Sequence, residues 1–363
     1  MNLTQIGRRI MALCMLLLFA FCHVAPAAQV VLNTAEVPVA SQSAEDRQAA
    51  MQAAFFQVLT KYSGNEQVQT VPELQLDSAQ IEQMLSHYSY QANPDQAALP
   101  WLFQATFDEK PVKRLLSQAR EPLWSAKRPA ILFMVDVRAP QTDESTSMPW
   151  WQLAHQWAGR RGLVMLHLLG DMSDQEHMPS EAQGPLGQAS WVDFLNYAKS
   201  RYQTPVVLRV EVVPQADQTY QASWSMNYLD KNWQWQSQGA IDTCVQNGVN
   251  EAANQLANQM AVVPVSQALE HVTVWISGVG GLDNYAQLLR SVRQLSGVED
   301  ADMLSLNPRG VLLDVQTLAS LEDLQSQLQQ SPYLSRGDEW DNHAPKAALY
   351  FAFKAPEQRA PYE

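Results

Sequence analysis

A chain of 363 residues with 46% hydrophobic and 17% charged residues is too apolar to stay disordered and too polar for a bundle of membrane spans. Its length allows two or three separate cores, and we count three. The formal net charge of −13 excludes the clustered basic surface that nucleic acids and anionic lipids require, leaving neutral or basic partners.

Residues 1–27 read as a secretory signal peptide. Arg8 and Arg9 form its positive start, Ile10–Phe21 its apolar stretch and Ala25-Pro26-Ala27 a small-residue cleavage site. The apolar stretch is shorter than the ~18 residues expected of a transmembrane helix. The expected product is therefore exported to the periplasm, starts at Ala28 and has no transmembrane segment. Cleavage takes the charge from −13 to −15 and removes Cys14 and Cys22. Cys244 is then alone, beside Val245 and Val249 in a helical pattern, and reads as a small buried hydrophobe.

The first unit, 28–127, opens with an edge strand around Val37-Pro38-Val39, because Pro38 cannot donate to a ladder. Ser43 and Asp46 signal a helix start, Ala49, Ala50, Ala53 and Ala54 form a close-packing stripe, and Ser63-Gly64 ends the helix. Asp77 opens a second helix. Tyr88–Tyr90 and Trp101–Phe107 read as paired strands, and Val112–Leu123 as a third helix.

The second unit, 128–266, begins with Arg128-Pro129 and a continuous apolar run that predicts a central strand covered on both faces. Helix Trp150–Arg161, strand Leu163–Leu169, helix Trp191–Arg201, strand Val206–Val213, hairpin Tyr220–Ala240 and helix Ile241–Val262 follow. In the hairpin, a two-residue Asp230-Lys231 loop would pair Tyr228 with Trp233 and Met226 with Trp235, setting them on one face with Trp224. The third unit, 267–354, alternates strand and helix as a split βαβ, ferredoxin-like plan. Its central turn is Asn307-Pro308-Arg309-Gly310, Ser331–Lys346 is a polar loop before the last strand, and 355–363 is a tail. The fold class expected is α+β or α/β in three small modules.

Spaced positions carry a resemblance: Arg47, Ala50, Ala54, Val58-Leu59 and Ser63-Gly64, then Tyr88 and Tyr90, then Leu102, Phe107-Asp108, Val112 and Leu115-Leu116, then Trp124 and Arg128-Pro129. The pattern resembles an uncharacterised exported family of gammaproteobacteria, domain-of-unknown-function family two-zero-six-six, with Phe133 where Trp is expected. The resemblance implies location and class, and brings no activity. The element order of the middle unit is similar to the amino-terminal domain of the TolB translocation protein, a likeness of fold that implies no function.

Four stretches are candidate sites. Gly278, Gly280 and Gly281 lie between a strand and a helix, but their spacing fits neither nucleotide fingerprint and reads as a tight turn. His167, Asp171, Asp174, Glu176 and His177 cluster after a strand, where a metal could bind, but the run reads as a solvated loop without helical two-histidine spacing. No Gly-x-Ser-x-Gly elbow occurs and the histidines are scattered, so no catalytic residue, cofactor or metal is predicted. Trp150, Trp151 and Trp157 cannot share one narrow helix face, so one of the first two is either exposed or, the favoured reading, partly buried at the helix start. With Trp224, Trp233 and Trp235, Trp150 and Trp151 are the candidate partner-binding residues, for an envelope protein or glycan. The reading is a non-enzymatic periplasmic binding or scaffold protein of the cell envelope. The alternatives are an envelope hydrolase or metal-dependent enzyme using the His167–His177 loop, and a metabolite-binding protein with an apolar pocket between the second and third units.

Overall fold

A computed structural model describes residues 30–94, 96–138, 144–178, 187–264, 269–331, 333–337 and 345–354. The expected signal peptide, its cleavage site and the tail 355–363 lie outside the described residues. The described residues are mixed α and β, with three sheets. Among the described residues no helix is long and apolar enough to cross a membrane.

The first sheet has the order β1 (Thr34–Val39), β3 (Trp101–Phe107), β2 (Leu85–Ala92), all antiparallel. Pro38 lies on the edge strand, where its missing N–H is tolerated. Helix α1 (Ala44–Ser63) starts where the Ser43 hydroxyl accepts from the Asp46 N–H, and buries Ala50, Ala54, Phe55, Val58 and Leu59 on the sheet. It ends at Gly64, whose φ of 73° favours glycine. Helix α2 (Ser78–Met84) begins with a capping box between Asp77 and Gln80. Helix α3 (Glu109–Gln118) closes this layer.

The second sheet runs β5 (Met165–His167), β4 (Ile131–Val137), β6 (Val206–Pro214), β7 (Tyr220–Tyr228), β8 (Lys231–Gly239). Strand β4 pairs in parallel with β5 and β6, and the other pairings are antiparallel. Strand β4 is covered on both faces, but β6 holds the middle place. On one side Ile131 and Phe133 pack beneath α4 (Glu144–Arg160) and α7 (Ile241–Met260). On the other, Leu132 and Met134 meet Phe194 and Ala198 of α6 (Gly187–Arg201). The short helix α5 (Met172–His177) precedes α6. Gly248 on α7 lets the Trp224 ring approach so closely that a Cβ there would stand 2.1 Å from it.

The third sheet has the order β10 (Val298–Asn307), β11 (Gly310–Thr317), β9 (Glu270–Ser277), β13 (Leu349–Phe353), β12 (Leu334–Arg336). Helices α8 (Gly281–Arg293) and α9 (Leu321–Gln329) complete it. The first half is the expected split unit, with β11 between β9 and β10. The second half differs. A ferredoxin-like plan would bring the last strand back antiparallel to β9, whereas β13 is parallel to it. The reason is β12, three residues within the expected polar loop, which turns back antiparallel to β13 and reverses its direction.

Candidate functional site

Trp150 and Trp224 are each 1% exposed and belong to the core, so they present no binding surface. Trp151, Trp233 and Trp235 are half-buried against the same core. The Trp224 ring lies parallel to Trp235 with centroids 6.3 Å apart, and parallel to Phe133 at 6.1 Å. Its indole N–H donates to the Ser237 hydroxyl at 2.8 Å. The hairpin loop is Leu229-Asp230, so Trp224 opposes Trp235 and Met226 opposes Trp233, while Tyr228 faces Lys231. The register differs by two residues from the expected one, which leaves every side chain on its face because strand side chains alternate with a period of two. That face is turned inward, under α4 and α7.

The His167–His177 stretch is largely the helix α5 rather than a loop. The Asp171 side chain caps it by accepting from the Asp174 N–H. Asp174 is buried and accepts from the Tyr197 and Tyr202 hydroxyls, both at 2.6 Å, and from the Gly170 N–H. Arg201 stands 3.4 Å from Asp174 and 2.5 Å from Asp171. Burial raises the Asp174 pKa, but the two tyrosines, the Gly170 N–H and Arg201 outweigh it, and the carboxyl sits below its usual range. His177 stacks on Tyr197 at 4.0 Å, and His167 meets the edge of Trp151. Glu176 is exposed. The cluster thus fastens α5 to α6. No group of three or more His, Cys, Asp or Glu able to hold a metal occurs among the described residues.

Gly278 takes a φ of 75°, and its N–H is already bound to the Arg309 carbonyl, as befits a tight turn. Cys244 is buried against the carbonyls of Tyr220 and Gly239, and burial raises its thiol pKa.

The segment Leu123–Arg128 joins all three sheets. Leu123 bridges to Val262, and the Trp124 N–H donates to the Tyr62 carbonyl. The Ser125 hydroxyl donates to Gln294 O, and its N–H to the Ser296 hydroxyl. Arg128 donates to the carbonyls of Lys61, Trp124, Ser125, Arg161 and Gly162. Burial, then the nearby Arg161, lowers its pKa to about 9, so it stays charged at neutral pH. Arg161 in turn donates to Gly64 O, Asn250 and Asn254. Beside this node lies a cleft of about 1110 Å³ between the first and third sheets, lined by Lys113, Lys127 and Arg290 together with Glu109 and Glu299. A pocket between the second and third units was expected for a metabolite, whereas this cleft has a charged rim and a different position.

Edge strands differ sharply in how they are protected. β1 carries Pro38, β5 and β12 have three residues each, β2 is mostly polar, and β8 turns Asn232, Gln234, Gln236 and Gln238 outward. β10 is ten residues long, and Asp302–Asn307 is exposed throughout. Met303, Leu304 and Leu306 are 46%, 55% and 60% exposed on it. Register shifts at Val298/Asp300 and Met303/Ser305 and the acidic Glu299, Asp300 and Asp302 interrupt this edge, and its exposed apolar stretch around Met303–Leu306 is the part open to pairing with another strand. Which strand of this sheet forms an edge is not readable from the sequence.

A domain of unknown function (DUF8605) matches residues 27–125. This supports membership of that stretch in a domain whose function is unknown, under a designation other than the one the motif spacing suggested. No curated protein matches the chain. Among solved structures, a competence-damaged protein (CinA) superfamily protein from Enterobacter cloacae aligns at 12% identity over 42% of this chain and 88% of that one, with a TM-score of 0.21. Two forms of Kluyveromyces lactis allophanate hydrolase align at 9% and 8% identity, with TM-scores of 0.21 and 0.19. Each covers 70% of this chain and 62% of that one, less than two thirds of the hydrolase. Scores this low carry no argument about fold or function.

Proposed function

We propose that the chain is a non-enzymatic binding or scaffold protein of the cell envelope, exported to the periplasm and built of domains 28–127, 128–266 and 267–354. The observation that carries this reading is the edge of β10, beside which no other described strand lies and on which Met303, Leu304 and Leu306 are exposed. In this reading β10 accepts an extended apolar segment of a partner protein: backbone hydrogen bonds supply the pairing, and the three side chains choose the sequence. The Leu123–Arg128 node supports it by holding the three sheets as one rigid carrier for that edge.

The test is photo-crosslinking in the periplasm from a reactive residue at Leu304, with one at Leu282, 80% exposed on α8, as the control. The expected result is a discrete adduct from position 304, absent from 282, that disappears when Leu306→Lys adds charge to the edge. Identical adducts from both positions, or none from 304, would sink the reading.

A further inference from the structure

Among the described residues, the second sheet has one face packed under α4 and α7, while α6 covers only part of the other. On the uncovered part, β7 and β8 present cross-strand pairs with no charge: Ser223 opposite Gln236, Ser225 opposite Gln234, and Asn227 opposite Asn232. None of these six side chains is hydrogen-bonded to another described residue. They form the floor of a groove of about 860 Å³, and Trp191 and Leu195 of α6 form its wall.

At the β6 side the charges cancel. Arg209 lies 3.0 Å from Glu211 and 3.2 Å from Asp136, and Glu211 lies 3.2 Å from Arg138. In a chain of net charge −13 this patch is therefore locally neutral, and it offers amide and hydroxyl groups that both donate and accept. Charged ligands gain nothing here, and an apolar ligand would bury polar groups without partners.

We propose that this groove binds a neutral glycan carrying hydroxyl and acetamido groups. Successive pairs are about 6.8 Å apart along the strands and about 4.8 Å across them, so a ligand with polar groups on many sides can engage several amides at once. The Arg209 guanidinium lies over the Trp191 ring, 5.2 Å from its centre, so the apolar side of a sugar ring packs against Leu195 and the exposed part of the Trp191 indole. An extended peptide fits less well, because its backbone would pair with a sheet edge and not lie across a sheet face.

The test uses the purified mature chain and N-acetylchitotetraose as the probe, followed by calorimetry and by chemical-shift changes. Saturable binding with a Kd of about 1 mM or tighter is expected. Gln234→Ala with Gln236→Ala should weaken it roughly tenfold or more, as the loss of two hydrogen bonds implies, with an unchanged circular dichroism spectrum. The Leu306→Lys variant should bind the probe like the wild type, so failure at β10 and failure at this groove are told apart. Absence of saturation, equal affinity in the double variant, or groove shifts caused only by an uncharged Ser/Asn peptide would each overturn the proposal.

Discussion

The Arg128 guanidinium lies over the Trp124 ring, 3.8 Å from its centre, and from there its N–H groups reach carbonyls of α1, of the turn after α4 and of its own segment. A planar donor fork is needed for this geometry, and lysine offers only a point charge. Arg128→Lys should therefore destabilise the protein by about 3 kcal/mol, since several buried carbonyls lose partners. Urea denaturation checks it, and a change within the roughly ±0.5 kcal/mol of ordinary surface substitutions would show that the node does not hold the sheets together.

Gly248→Ala places a Cβ where the Trp224 ring now lies. The cost should be about 1–3 kcal/mol, as for other overpacked cores. Combined with Trp224→Leu, the loss should be smaller than the sum of the single losses, because the smaller side chain removes the clash. Strict additivity in the double-mutant cycle would contradict the close approach.

Asp174→Asn should lower stability by about 1–3 kcal/mol at pH 7, because the amide cannot accept from both tyrosines and Arg201 as a carboxylate does. The Asp174 carboxyl has a depressed pKa in the folded state, so its contribution is present above the ordinary carboxylate value of about 4 and is lost as the pH falls through the folded value. The gap between wild type and variant should narrow below that pH. A chelator should leave the melting temperature of the wild type unchanged; a fall on chelation would restore the metal reading of the His167–His177 stretch.

Lys61 is 8% exposed, donates to the Thr34 carbonyl at 2.7 Å, and has its pKa lowered from 10.5 to about 8, chiefly by burial. Between these values the unfolded chain binds the proton more readily than the folded one, so stability from this group rises with pH. Relative to Lys61→Met, the wild type should gain on the order of 2 kcal/mol between pH 7 and 10. Parallel stability curves for the two proteins would count against a desolvated lysine.

Local signals were legible wherever a few neighbouring residues decide the outcome. Ser43 with Asp46, Asp77, and Gly64 at a left-handed φ mark helix ends through contacts spanning only a few positions. The alternation of Trp224, Met226 and Tyr228 set their common face, which survived a two-residue change of register. The same alternation placed Ser223, Ser225 and Asn227 on the opposite face, yet only the packing of α6 left that face open.

The sequence by itself determined the periodicities, the caps and the burial of Cys244, because side-chain direction and terminal hydrogen bonds follow from the local backbone. Tertiary structure decided the rest. Trp150 lies in the core instead of on a surface, Asp174 is bound by Tyr197 and Tyr202, and β13 runs parallel to β9 because three residues of β12 reverse the chain. Arg128 meets the Arg161 carbonyl across 33 positions, and β10 is an edge because, among the described residues, no other strand of the sheet lies beyond it. These outcomes depend on which distant groups are brought within hydrogen-bond or van der Waals reach, and on the competition among many weak contacts that the folded chain alone resolves.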